Sequence, residues 1–261
     1  MRKIQMQHFE TSKGRKLLFI LAEPRSGSSW LLETLNSHRD IALESELYNQ
    51  AIYGEVKSFQ QIEKEKLGTC IAYLENKLAR ERKKYTGCKI LINQLRFISP
   101  DFPRYFIENY RQAHFIFLLR ENAVSAQISL TIAHRHQIWH CTKDEDIKKK
   151  KVHIRPPELY TNLERFRELK ETAWKLLEDY EVNRIRLTYE ELFADKDAVI
   201  KRICKFLNIP AGRIVFSTEK KGNPFRPEEI IENYEEVKEY LEKYPHYYEM
   251  LLNRGTVCKG M

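Results

Sequence analysis

The sequence lacks two motifs that would assign it to large groups of proteins. No Gly-Lys-Ser or Gly-Lys-Thr occurs in its 261 residues, so magnesium-assisted phosphoryl transfer on the common GxxxxGK[ST] loop loses its main support. The five cysteines form no Cys-x-x-Cys pair and are odd in number, which indicates neither a zinc site nor a complete disulfide framework. Reduced thiols are typical of a cytoplasmic protein.

Long apolar runs are also missing. The run Leu17–Ala22 has six residues, whereas a helix needs about 20 to span a bilayer. The segment Met1–Lys16 is basic but has no apolar centre, so we expect a soluble, unsecreted protein. No internal repeat or Gly/Ser linker divides the chain, which predicts one domain over residues 1–261 with residues 1–15 as a flexible N-terminal segment.

Positive charge is in surplus, with 45 Lys and Arg against 37 Asp and Glu, a net charge of +8. Such a surplus suits an anionic ligand, a nucleic acid or an acidic membrane surface. The longest basic run, Lys148–Lys151, has no aromatic residues alternating with it and is typical of a solvated loop. Charge alone therefore leaves these ligand classes open.

Apolar runs and amphipathic stretches alternate along the chain, which favours a parallel sheet covered by helices. We expect an α/β fold with three layers, α/β/α, around a mostly parallel sheet of about five strands. The amphipathic stretches cover Phe59–Lys84 and Leu159–Tyr180. The predicted strands are Leu17–Ala22, Asp40–Leu43, Lys89–Leu95, His114–Leu119 and Arg184–Thr188.

A phosphate-sized loop follows the first predicted strand and leads into a helix. It contains a flexible glycine, Gly27, a cation, Arg25, and the hydroxyls of Ser26, Ser28 and Ser29. Backbone N–H groups at a helix N-terminus, together with the helix dipole, favour an anion. The segment Pro24–Trp30 therefore predicts an anion site.

A second anion site is predicted after the strand that ends at Leu119. Arg120 follows that strand, and Ser129 lies about two helical turns further on, on a face that can turn back toward Arg120. If the two strands are neighbours, Arg25 and Arg120 project into one crevice at the carboxyl edge of the sheet. Two such sites suit a ligand with two separated anionic groups. The alternative is an arginine paired with an acid and a serine on a helix surface.

These residues resemble the sulfotransferase family. Pro24–Trp30 is similar to its 5′-phosphosulfate loop, and Arg120 with Ser129 is similar to its 3′-phosphate site. Further likeness to bacterial carbohydrate sulfotransferases of the trehalose, nodulation-factor and lipopolysaccharide types lies in Leu43–Asn49, Arg120–Leu130 and Thr188–Leu192. The resemblance implies a P-loop-like fold and sulfuryl transfer from 3′-phosphoadenosine-5′-phosphosulfate (PAPS) to a hydroxyl of a carbohydrate or glycolipid, with no metal.

The resemblance also implies roles for individual residues. Arg25 would hold the phosphosulfate and stabilise charge on the leaving phosphate, and Trp30 would stack on adenine, although a core position for Trp30 is an equal alternative. The 5′ end would bind Ser26, Gly27, Ser28 and Ser29. The 3′-phosphate would bind Arg120 and Ser129 beneath a closing loop of Lys220, Lys221 and Gly222, which could instead be a solvated turn.

The resemblance implies a carboxylate as the catalytic base. Other sulfotransferases use a histidine on the strand that follows the long second helix, and the predicted strand Lys89–Leu95 contains none. Glu46 matches the glutamate of the family's Gly-Glu pair, although Ser45 replaces the glycine. Glu44 is the weaker candidate. The resemblance makes Arg135, Trp139 and His140 predicted acceptor contacts, and Gln94 is a further one. Arg135, Trp139 and His140 lie at and beyond the end of the helix that follows Arg120, where plain packing, a surface position and a metal site are the alternatives.

Three other functions stay open at this point. One is a nucleotide kinase-like phosphotransferase with a divergent phosphate loop, although no strand-end aspartate for magnesium is evident. Another is a binder of RNA or acidic lipid, although no RNA-binding motif occurs. A sulfotransferase acting on a small non-carbohydrate alcohol is the third.

Overall fold

A computed structural model describes residues 15–48, 64–79, 81–139, 149–219 and 225–253. All strand pairs in its central sheet are parallel, in the order β2-β3-β1-β4-β5. This arrangement confirms the predicted α/β class and the five-stranded parallel sheet. The strands are β1 (Lys16–Ala22), β2 (Ile41–Glu44), β3 (Tyr85–Leu91), β4 (His114–Leu119) and β5 (Asn183–Thr188).

Helices cover both faces of the sheet. Alternate residues of β1 point to opposite faces, so Phe19 and Leu21 belong to one buried cluster and Leu18 and Ile20 to another. The helices are α1 (Ser28–Asn36), α2 (Lys64–Leu78), α3 (Ile92–Ile98), α4 (Phe102–Asn109), α5 (Ala123–His136), α6 (Pro156–Asp179), α7 (Tyr189–Ala194), α8 (Lys196–Phe206), α9 (Pro227–Ile230), α10 (Tyr234–Leu241) and α11 (Pro245–Leu252). Within the described ranges, no helix is long and apolar enough to cross a membrane.

The predicted strand Lys89–Leu95 is wrong in its position. The strand runs over Tyr85–Leu91, and the chain then turns into α3 at Ile92. Ile92, Leu95 and Ile98 recur every three residues and are all buried, which is a helical spacing. The Gln94 side chain accepts a hydrogen bond from the backbone N–H of Leu91, which satisfies a donor at the start of this helix. Gln94 therefore lies on a helix and not on a strand.

Strand register brings the loops that follow β1 and β4 to the same edge. Ala22 pairs with Leu91 on one side and with Leu118 on the other, so β1, β3 and β4 end at nearly the same level. The backbone N–H of Glu23 extends the ladder to the carbonyl of Leu118. The two predicted anion sites are thus on neighbouring strands, as the crevice hypothesis requires.

Candidate functional site

The loop after β1 turns sharply through two left-handed residues. Arg25 has φ 64° and Gly27 has φ 80°. A Cβ atom on Gly27 would lie 3.1 Å from Cε2 of Phe193 and 3.3 Å from Cδ2 of Tyr189, so α7 packs directly on this glycine. Gly27 is also the N-cap of α1, which begins without a side-chain cap. The first N–H groups of α1 are therefore positioned to bind an anion.

Gly27→Ala is expected to lower the free energy of unfolding by about 1–2 kcal/mol, because a left-handed conformation is strained for residues with a Cβ and Phe193 must also shift. Urea denaturation measures the change. Gly68→Ala, in the middle of α2, is the matched control and should stabilise the protein, because its Cβ would meet only Tyr105 Oη at 3.9 Å. Equal effects of the two substitutions would contradict the assigned role of Gly27.

Arg25, Arg120 and Ser129 are brought together at this edge. Arg25 donates from Nε to Ser129 Oγ at 3.1 Å and from Nη1 to the carbonyl of Trp139 at 2.7 Å. Arg120 donates from Nη1 to the carbonyl of Arg25 at 3.3 Å, and its guanidinium lies 4.5 Å from the centre of the Tyr189 ring. The buried Nε of Arg120 has no hydrogen-bond partner within the described residues. A buried guanidinium donor of this kind fits an anionic ligand.

The N-terminus of α5 is already occupied by protein. Glu190 accepts hydrogen bonds from the backbone N–H groups of Glu121 and Asn122, and Asn122 caps the helix through Ser125 N. The segment that begins at Thr188 thus braces the turn after β4. An anion beside Arg120 would bind the arginine side chain rather than the start of α5.

Sequence analysis missed Glu23, which lies at the centre of this edge. Its side chain is fully buried, accepts a hydrogen bond from the backbone N–H of Arg120 at 3.2 Å, and lies 3.5 Å from Nζ of Lys170. Burial raises the pKa of this carboxyl, an effect that Lys170 and Arg120 only partly oppose. Glu23 joins the ends of β1 and β4 to α6. Its place between an apolar run and the loop was the available signal.

The raised pKa of Glu23 predicts a pH dependence of stability. A carboxyl whose pKa is higher in the folded state binds more protons there, so folding loses stability as pH rises from the unfolded pKa to the folded one. Glu23→Gln removes this loss. The stability of the variant relative to wild type should therefore increase as pH rises from acidic to neutral. Urea denaturation of both proteins at the two pH values measures this change. A difference independent of pH would contradict the prediction.

Glu46 is held by two buried side chains beside the loop. Nζ of Lys89 lies 2.7 Å from Glu46 Oε1, and Gln94 donates from Nε2 to Oε2 at 2.8 Å. Lys89 also donates to Ser29 Oγ at 3.0 Å, which links the carboxylate to the loop. The Lys89 side chain is 2 % exposed and that of Glu46 is 18 % exposed, so the carboxylate is only partly buried.

Two side chains of the loop make contacts within the protein. The Ser26 hydroxyl is buried and donates to the carbonyl of Glu23, so a contact with an anion would come from its backbone N–H. The Trp30 ring is 2 % exposed and stacks on Phe216 at 5.7 Å. Trp30 is thus a core residue, which was the alternative to adenine stacking. Stacking on adenine stays a prediction, and it would require Phe216 to move.

The predicted acceptor contacts do not form one group. The ring of Trp139 is exposed at the end of α5 and meets His134 edge-on, while its carbonyl binds Arg25. Arg135 lines a separate cavity of about 420 Å³ with Thr131 and Lys151. Gln94 uses both ends of its amide within the protein, which makes it a support for Glu46.

The predictions for His140 and for the loop of Lys220, Lys221 and Gly222 lie outside the described residues. Within the part of the chain that the structure describes, no three His, Cys, Asp or Glu side chains are grouped so that they could hold a metal ion.

Comparison with solved structures finds sulfotransferases at low sequence identity. The sulfotransferase from Alicyclobacillus acidocaldarius is 17 % identical with a TM-score of 0.54, over 92 % of this chain and 97 % of that one. The sulfotransferase domain from the curacin biosynthetic pathway is 16 % identical with a TM-score of 0.44, over 75 % of each chain. Mouse sulfotransferase SULT7A1 complexed with PAP is 16 % identical with a TM-score of 0.42, over 76 % of this chain and 59 % of that one.

Among curated proteins, no sequence matches this chain. The sequence model of the sulfotransferase family matches residues 18–212, from β1 to beyond α8. This range includes Arg25, Glu46, Arg120 and Ser129, and the likeness of fold to the Alicyclobacillus enzyme agrees with it. The chain therefore belongs to the sulfotransferase family and is a sulfotransferase.

Proposed function

We propose that this enzyme transfers a sulfuryl group from PAPS to a hydroxyl of a carbohydrate or glycolipid acceptor, with Glu46 as the base. The observation that carries the proposal is the placement of Arg25 and Arg120 at the ends of neighbouring strands, joined through the Arg25 carbonyl. PAPS carries anionic groups at both its 5′ and 3′ positions, and each would face one arginine. The uncapped start of α1 and the buried Nε of Arg120 support this fit.

The loop after β1 would then stabilise the negative charge that develops on the leaving phosphate. PAPS supplies the sulfuryl group and leaves as a bisphosphate, so donors are needed where charge develops on its 5′-phosphate. Arg25 and the first N–H groups of α1 would provide them. Ser129 fixes the Arg25 side chain through the contact at Nε, and Arg120 would bind the 3′-phosphate. Contacts from Lys220, Lys221 and Gly222 stay predictions.

Glu46 has the geometry expected of a general base. The bonds to Lys89 and Gln94 fix the orientation of the carboxylate. Its side chain is partly exposed, so the carboxylate would be within reach of an acceptor hydroxyl whose proton it would take. Lys89 also touches Ser29, which keeps the carboxylate at a fixed distance from the loop. This fixed distance supports an acceptor hydroxyl aligned with the leaving phosphate.

A carbohydrate acceptor is supported by the exposed ring of Trp139, because an aromatic plate beside polar groups suits a sugar. Arg135, Gln94 and His140 stay predicted contacts, although Gln94 already supports Glu46 and Arg135 lines a separate cavity. A small alcohol remains the competing acceptor class. The cytoplasmic location stays a prediction.

The test is incubation of the purified chain with ³⁵S-labelled PAPS and a panel of glycans, glycolipids and small alcohols. Labelled product with a glycan or glycolipid, in the absence of added metal, is the expected result. Transfer only to small alcohols would overturn the acceptor class, and phosphate transfer from ATP with magnesium, without sulfuryl transfer, would overturn the reaction.

A further inference from the structure

A cavity of about 430 Å³ lies beside the candidate site. It is next to β4 and β5, whereas Glu46 follows β2, the edge strand on the other side of the sheet. It is bordered by the end of β4 at Leu119, by Arg186 of β5, by Lys170 and Trp174 of α6, and by Met250 of α11. Its volume is within the range of small-molecule sites, roughly 300–1,000 Å³. Of its lining residues, only Arg120 has a contact with a substrate in the function proposed above.

The cavity lies apart from Glu46 and from Trp30. Leu119 and Phe117 belong to the buried cluster on one face of the sheet, whereas Trp30 belongs to the cluster on the other face. Glu46 follows β2, which is three strands from β4 in the sheet order, a distance of about 14 Å at ordinary strand spacing. A ligand in the cavity would therefore contact neither Glu46 nor Trp30.

The cavity has an excess of positive charge. Arg186 has no carboxylate within ion-pairing distance among the described residues. Its guanidinium lies 5.9 Å from the centre of the Trp174 ring. Lys170 reaches only the buried Glu23, at 3.5 Å. Arg167 and Glu171 pair with each other, which leaves Glu121 as the remaining acid of the lining. These charges favour a ligand with one anionic group.

The rest of the lining is apolar. The Trp174 ring is held by Phe117, with ring centres 5.5 Å apart, and Leu119 and Met250 complete the wall. An inorganic anion would bury none of this apolar surface. An aromatic ring would bury it and its own apolar surface away from water, which favours binding. The combination of an apolar wall with Arg186, which has no carboxylate partner among the described residues, indicates one class of ligand.

We propose that this cavity binds a planar aromatic anion, an aryl phosphate or aryl sulfate, with its ring against Trp174 and Met250 and its anionic group between Lys170 and Arg186. Arg120 borders the cavity, but its Nη1 is directed to the Arg25 carbonyl. Such a ligand and the donor nucleotide can therefore bind together. The cavity adjoins the site that performs sulfuryl transfer, and Arg120 lies at their common border.

Isothermal titration of the full chain with 1-naphthyl phosphate tests the proposal, with 1-naphthol and inorganic phosphate as the two partial probes. Naphthyl phosphate should bind at least about tenfold more tightly than either, since it alone has both the ring and the charge. In the presence of saturating adenosine 3′,5′-bisphosphate, the Kd of naphthyl phosphate should stay within about threefold of its value without the bisphosphate. Equal binding of naphthol, equal binding of phosphate, or displacement by the bisphosphate would overturn the proposal.

Arg186→Ala should weaken naphthyl phosphate binding roughly tenfold, the loss of one charge-assisted contact. Arg184→Ala is the matched control, because Arg184 lies on the same strand and over the same Trp174 ring but does not line the cavity. Binding of adenosine 3′,5′-bisphosphate to both variants reports that they are folded. An unchanged Kd for naphthyl phosphate in the folded Arg186 variant would locate the ligand elsewhere.

Discussion

Glu46→Gln is expected to reduce turnover by roughly 10²–10⁴-fold while the affinity for adenosine 3′,5′-bisphosphate stays within about twofold. The amide of glutamine cannot take the proton from the substrate hydroxyl. It keeps the size of the side chain and an oxygen that can accept a hydrogen bond from Lys89. Initial rates with labelled PAPS and titration calorimetry with the bisphosphate measure the two quantities separately.

Glu44→Gln is the matched control for this experiment. Glu44 is the last residue of β2, two positions before Glu46, and its side chain is exposed. The same substitution there should leave turnover unchanged. If Glu46→Gln retained full turnover, or if Glu44→Gln lost as much, the carboxylate base would be assigned to the wrong residue.

Arg120→Ala is expected to weaken adenosine 3′,5′-bisphosphate binding by roughly tenfold to a hundredfold, because a hydrogen bond to a charged group contributes about 1.5–3 kcal/mol. The substitution removes the buried Nε donor and the contact with the Arg25 carbonyl. Calorimetric titration of the variant with the bisphosphate measures the loss.

Arg165→Ala separates a local contact from the general charge of the protein. It removes one positive charge from an exposed position on α6, where the guanidinium lies over Phe97. Bisphosphate affinity should be unchanged in this variant. Equal losses in the two variants would mean that Arg120 acts only through long-range charge, and an unaltered Kd for Arg120→Ala would remove it from the site.

Much of the fold was predictable because buried parallel strands have a strong local signal. His114–Leu119 is a run of apolar residues, and its predicted bounds match β4. The third strand was misplaced because Ile90–Ile92 continues across the boundary between β3 and α3, so an apolar run alone cannot show where a strand gives way to a helix. The helical spacing of Ile92, Leu95 and Ile98 carried that information.

The candidate site was predictable only where its residues follow strand ends. Arg25 and Arg120 could be placed at one edge from the order of strands and loops. Glu23 also follows a strand end, but its importance could not be predicted, since it comes from Lys170, which is distant in sequence and reaches Glu23 from α6. The support of Glu46 by Lys89 and Gln94 likewise depends on the turn from β3 into α3, which the sequence did not locate.

Calorimetric comparison of adenosine 3′,5′-bisphosphate with 5′-AMP and 3′-AMP tests most directly whether one donor bridges Arg25 and Arg120. Each monophosphate lacks the anionic group that would face one of the two arginines. Both should therefore bind at least about tenfold more weakly than the bisphosphate. If either monophosphate bound as tightly as the bisphosphate, only one of the two cationic positions would hold the ligand, which contradicts the account.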